Sequence, residues 1–130
     1  MKKLDKNITL TACLLGAITI VLGAFGAHSL KALVSEDMIT IFETGVRYQM
    51  YHVVVLLVIG LSTPISEKTK RWVFRFFLFG ILLFSGSLYI LSLGEILSIN
   101  TKIIGPITPF GGLLYILGWL RLGYGMLKSM

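Results

Sequence analysis

Ten residues in the first half of the chain hold most of what could do chemistry: Glu43-Thr-Gly-Val-Arg-Tyr-Gln-Met-Tyr-His52. Glu43 and Arg47 are four apart, so on a helix they share a face and can pair. Gly45, Gln49 and His52 fall on a neighbouring face, with Tyr48 beside them. His28 closes the preceding apolar run and could meet Glu43 and Arg47 at one end of a bundle, with His52 below. The cluster His28, Glu43, Arg47, Tyr48 and His52 reads in two ways. One is a proton- or anion-responsive group, or a substrate site. The other is an internal ion pair plus two hydrogen-bonded histidines that lock two helices together. The second is favoured, because two histidines and one Glu-Arg pair form no recognised catalytic unit. No nucleophile motif, phosphate loop or pair of carboxylates is visible. Two histidines and one cysteine are too few for a closed metal site. No catalytic residue, metal or cofactor is therefore assigned.

The elements that must carry these residues are set by solvent. The chain has 130 residues, 55% hydrophobic and 14% charged, against roughly a quarter charged in an average soluble domain. A soluble domain this small cannot hide so much apolar surface. The excess must face lipid. Four spans follow, at about 8–27, 35–61, 72–93 and 109–127. Ser35 can cap the second, with Glu36 and Asp37 at the positive end of its dipole. Ser62-Thr63-Pro64 ends it, and 65–71 reads as a short basic loop. Thr108 as cap and Pro109 in the first turn suit the start of the fourth. The reading is an all-α membrane protein, a four-helix transmembrane bundle forming a single domain.

The net charge of +6 reads as topology rather than nucleic-acid binding, since no basic stripe carries stacking aromatics. With the N-terminus inside, Lys2, Lys3, Lys6, Lys68, Lys70, Arg71, Arg75, Arg121 and Lys128 collect on the inner side. The outer side receives Lys31, Arg47 and Lys102. Both termini are therefore expected to be cytoplasmic. Leu10-Thr-Ala-Cys13 resembles a lipoprotein cleavage site, but too few apolar residues precede it, and Cys13 reads as a small buried thiol. The uncharged run Asn7–Leu30 is longer than a signal core and reads as a retained helix.

Small residues are what let helices approach in lipid. Gly16 and Gly23 are seven apart in the first helix, as are Gly80, Ser87 and Gly94 in the third, and Gly111, Gly118 and Gly125 in the fourth. A seven-residue spacing keeps one seam facing a partner. Gly86 and Gly123 fall off these seams. Ser85 and Ser87 read as interhelical glue.

Gly23-Ala-Phe-Gly-Ala-His-Ser-Leu30, Phe42-Glu-Thr-Gly-Val-Arg-Tyr-Gln-Met-Tyr-His52, Phe84-Ser-Gly-Ser-Leu-Tyr-Ile-Leu91 and Ile107-Thr-Pro-Phe-Gly-Gly112 with Gly118-Trp119 occur in that order. In this the chain resembles a family of small inner-membrane proteins of unknown function that includes bacterial YgdD and YwdK and is related to vertebrate transmembrane protein 256. The resemblance covers nearly the whole chain. It implies a multi-pass protein of the bacterial cell (inner) membrane and supplies no reaction, substrate or cofactor. Its motifs include His28, Arg47, Tyr48, His52, Ser85, Ser87 and Tyr89.

Three functions compete. A non-enzymatic accessory or structural membrane component fits the short loops. Its partners would be the lipid bilayer and either further copies of itself or a larger membrane protein, with no role for nucleic acid. A transporter or channel for a small solute, proton or lipid would use the outer-end polar cluster and needs a water-accessible cavity there. An intramembrane enzyme with His52 as base has the least support.

Overall fold

The computed structural model describes residues 1–128. Its framework is four long helices: α1 (Lys3–Ala27), α2 (Glu36–Leu61), α3 (Glu67–Ser92) and α4 (Ile107–Leu127), each long and apolar enough to cross a membrane. No strand occurs among the described residues. A single 3-10 turn, Leu30–Ala32, lies between α1 and α2. One further turn of helix, Gly94–Leu97, follows α3 and ends at Ser98, which adopts the left-handed conformation with φ 52°.

Ser35 caps α2 as its position suggests, accepting from the Met38 backbone N–H at 3.4 Å. The start of α3 lies more than a turn before the expected position. Ser66 caps it by accepting from the Thr69 backbone N–H at 3.3 Å, so the basic stretch after Glu67 is helix rather than loop. α4 starts at Ile107, without a side-chain cap. Thr108 is not needed there, and its hydroxyl instead lies 2.6 Å from that of Ser87.

The helices form a curled row rather than a closed square. α1 packs on α2, α2 on α3, and α3 on α4, while α1 and α4 do not meet. The seam of α1 is the stripe Ile8, Ala12, Thr19 and Gly26, all buried. Cys13 is one step off that stripe and is exposed, which corrects the buried-thiol expectation: an outermost helix in the row buries only the face toward its single main neighbour. The apolar core runs through Ile8, Val53, Leu56, Ile59, Val73, Phe77 and Ile81.

Near its middle α3 widens into a π-helical segment, Ile81–Ser85. Such segments insert a residue into the helical ladder and re-aim the side chains around it. Here the segment brings the Phe84 backbone against Gly111 of α4, where a Cβ would collide with it. It also turns the Ser85 hydroxyl onto the Gly45 carbonyl of α2, to which it donates at 2.7 Å. Gly45 permits that approach, since a Cβ there would meet Tyr89 at 2.8 Å.

The end of the bundle that carries the start of α1 is fastened by Lys70. Its ammonium, buried to within 4% exposure, pairs with Asp5 at 2.6 Å and donates to the Ser62 carbonyl. One side chain thereby joins the start of α1, the end of α2 and the start of α3. The sequence places Lys70 in a solvated loop; the earlier start of α3 carries it inward. Beside it, Lys2 pairs with Glu67 at 2.8 Å in the open, and that hydrogen bond raises the Lys2 ammonium above its ordinary pKa.

Candidate functional site

Depth along α2 sorts the expected cluster. At about 1.5 Å per residue, Glu43 stands roughly 27 Å from Leu61, near the far edge of a ~30 Å hydrocarbon core. Arg47 is one turn deeper, and its stem can carry the guanidinium back toward the head groups. Both side chains are exposed, and so is His28 at the end of α1. The two ion pairs among the described residues, Lys2–Glu67 and Lys70–Asp5, involve neither Glu43 nor Arg47. His28, Glu43 and Arg47 are thus not drawn together around a common centre. Tyr48 is also partly exposed and meets the Tyr51 and Phe84 rings at a tilt, with centroids 5.7 and 4.9 Å away.

His52, about 14 Å from Leu61, lies at mid-depth and is buried. Its ring lies flat on Tyr115, centroids 3.5 Å apart and planes 6° from parallel. The Phe77 ring meets it edge-on at 4.8 Å. Nδ1 is 2.7 Å from the Tyr48 carbonyl, and Nε2 is 3.2 Å from the Trp119 indole nitrogen. An indole N–H only donates. Nε2 must therefore be the bare acceptor, and Nδ1 carries the proton that it donates to Tyr48. Both ring nitrogens are satisfied in one neutral tautomer, with no nitrogen left to exchange a proton.

A second polar group joins three helices nearly one turn away along α2. The Tyr89 hydroxyl donates to Gln49 Oε1 at 2.8 Å, and Gln49 Nε2 donates to Thr19 Oγ1 at 2.8 Å. The Thr19 hydroxyl donates onward to the Leu15 carbonyl at 2.6 Å. Gln49 is the hub, and both it and Thr19 are buried. In the sequence neither outranks the charged pair, because a neutral amide or hydroxyl carries no charge that demands a partner. Their signal is present all the same: Gln49 shares its helical face with Gly45 and His52.

The backbones of α2 and α4 do not approach each other. Between them runs a lateral groove of about 620 Å³, walled by Tyr48, Ile116 and Trp119 and floored by His52, Phe84 and Tyr115. The Tyr115 hydroxyl is buried without a hydrogen-bond partner. Its polar neighbour, the Ser85 hydroxyl, donates to the Gly45 carbonyl and keeps lone pairs that can accept from Tyr115. No group of three or more His, Cys, Asp or Glu among the described residues is placed to hold a metal ion.

The glycines singled out for packing sit as follows. Gly16 and Gly23 face Val53 and Val46 of α2 at ordinary contact distance. Gly80 faces Tyr115, and Gly111, Gly118 and Gly125 face Phe84, Phe77 and Thr69 so closely that a Cβ would collide. Gly94 faces Thr101 of the following connector rather than another helix, and Ser87 links α3 to α4 through Thr108. Gly26 and Gly60, which lie outside the glycine repeats read from the sequence, are as tightly covered, by Phe42 and Thr9.

Four apolar helices crossing a bilayer and fastened by buried side-chain hydrogen bonds define a multi-pass integral membrane protein. The chain belongs to the family described as "Protein of unknown function (DUF423)", which it matches over residues 22–112. It is 40% identical to a UPF0382 membrane protein of Haemophilus influenzae over 125 residues, 96% of each chain. It is 46% identical to one of Staphylococcus saprophyticus, over 82% of this chain and 84% of that one. It is 40% identical to the UPF0382 membrane protein YwdK of Bacillus subtilis, over 90% of this chain and 96% of that one. No solved structure matches the chain.

Proposed function

We propose that this protein is a non-enzymatic, non-conducting component of the bacterial inner membrane, with both termini cytoplasmic, that acts by lateral association within the bilayer. The observation that carries this reading is the state of His52. It is the strongest acid–base candidate in the interior, and both its nitrogens are spent inside the chain, on Tyr48 and Trp119. The residues that would extend a polar path from it, His28, Glu43 and Arg47, face outward without pairing. Short connectors leave no room for a soluble catalytic part. α1 and α4 bury the least of their surface, so most of their length is free for contact with lipid or another membrane protein.

The test has two arms. Purified protein in proteoliposomes is expected to pass protons no faster than protein-free vesicles do. Gentle cross-linking in native membranes is expected to trap a defined assembly larger than one chain. A proton flux abolished by His52→Ala, or recovery of a lone monomer throughout, would sink the reading.

A further inference from the structure

We propose that the pocket between the first turn of α3 and the last turns of α4 is a phosphate-binding site that holds the head group of an anionic phospholipid. The pocket has a volume of about 280 Å³, and Lys68, Arg121 and Lys128 line it together with Thr69 and Tyr124. Three cations converge there from α3 and the end of α4, and no carboxylate among the described residues lines it. Glu67, the acid nearest in sequence, is held by Lys2 at 2.8 Å, and Asp5 is held by Lys70.

Arg121 makes the case specific. It lies six residues before the end of α4, about 9 Å inside it. Its Nη1 is buried and has no hydrogen-bond partner. A buried guanidinium N–H without an acceptor is costly. The Tyr124 ring lies within cation–π range of both Arg121 and Lys128, 5.9 and 4.9 Å from its centroid. Close approach of the helices at Gly125 and Thr69 closes the pocket beneath them. The Ser66 hydroxyl donates to that of Thr69 at 3.0 Å, and the Thr69 O–H stays available to the ligand beside the cations.

A guanidinium fork matches two oxygens of one phosphate. Basic pockets between membrane helices at head-group level take anionic lipid head groups. This pocket lies at the face where α1 begins and α4 ends, the end at which a span of α4's length reaches the head groups.

The experiment is native mass spectrometry of the full chain in detergent with equimolar phosphatidylglycerol and phosphatidylcholine. Phosphatidylglycerol is expected to be retained preferentially, and Arg121→Gln to weaken it about tenfold. Arg75→Gln makes the same charge change on α3 outside the pocket and is expected to leave retention intact. If Arg121→Gln does not fold, the exposed pair Lys68→Gln and Lys128→Gln is used in its place, with the same expected loss. Preference that survives millimolar inorganic phosphate assigns the site to lipid. Binding of inorganic phosphate without preference for phosphatidylglycerol overturns the lipid assignment. Equal retention of both lipids, or equal loss in Arg75→Gln and Arg121→Gln, overturns the site.

Discussion

The Trp119 indole donates to His52 Nε2 at 3.2 Å, across a gap where the backbones of α2 and α4 do not approach. With the stack of His52 on Tyr115, this contact bridges two helices that share no direct seam. It accounts for why a histidine can sit at mid-depth in an apolar bundle: Nδ1 is satisfied within α2 by the Tyr48 carbonyl, and Nε2 holds the open side of the row through Trp119.

Trp119→Phe keeps an aromatic ring, though a smaller one, and removes the donor. It leaves a buried acceptor unpaired, which costs about 1–3 kcal/mol. Thermal unfolding in detergent is expected to register that loss. In a double-mutant cycle, His52→Phe is expected to erase most of the Trp119→Phe effect, since the pair acts as a unit. Additive losses would show that the contact contributes nothing.

Gln49→Leu removes the hub between Tyr89 and Thr19. Interhelical hydrogen bonds in membranes contribute about 0.6 kcal/mol on average and at most ~2. Because two such bonds go and two hydroxyls are left behind, Gln49→Leu is expected to destabilise by about 1–2 kcal/mol and Tyr89→Phe by less. Equal losses from the two variants would place the network's weight elsewhere.

How much of this was legible in the sequence follows from what lipid does to patterning. The four spans are readable because each apolar run is long enough to cross, and the structure has four such helices. Which face of each helix turns inward is not readable the same way. Lipid and bundle interior are both apolar, so the inward face carries little hydropathic contrast. Glu43 and Arg47 drew notice by their charge yet lie outward, while neutral Gln49 and Thr19 are buried. Lys70 misled for a related reason: a lysine in a basic stretch reads as solvated, and only its distant partner Asp5 takes it inside. The π-helical segment Ile81–Ser85 leaves no mark in composition or spacing.

Gly111→Ala places a methyl group against the Phe84 backbone, which cannot rotate away. Overpacking of this kind costs about 1–3 kcal/mol. Gly123→Ala, with nothing within 4 Å of the added carbon, is expected to be neutral or slightly stabilising. The two melting temperatures, measured side by side, check the α3–α4 seam.

Asp5→Asn leaves the Lys70 ammonium buried among neutral acceptors, the Ser62 carbonyl and the amide oxygen, with no counter-charge. Breaking one side of a buried pair costs about 3 kcal/mol or more. Lys2→Gln, which breaks the exposed pair with Glu67, is expected to change the melting temperature little. Similar losses from both would mean that burial does not distinguish the two pairs.

The most direct measurement is the nitrogen-15 spectrum of the His52 imidazole in lipid bilayers, assigned by comparison with His28→Gln. Donation from Trp119 to Nε2 and from Nδ1 to Tyr48 requires a neutral ring protonated at Nδ1 alone. A ring protonated at Nε2, or at both nitrogens, would contradict the closed, structural role given to His52 and reopen a proton-handling interior.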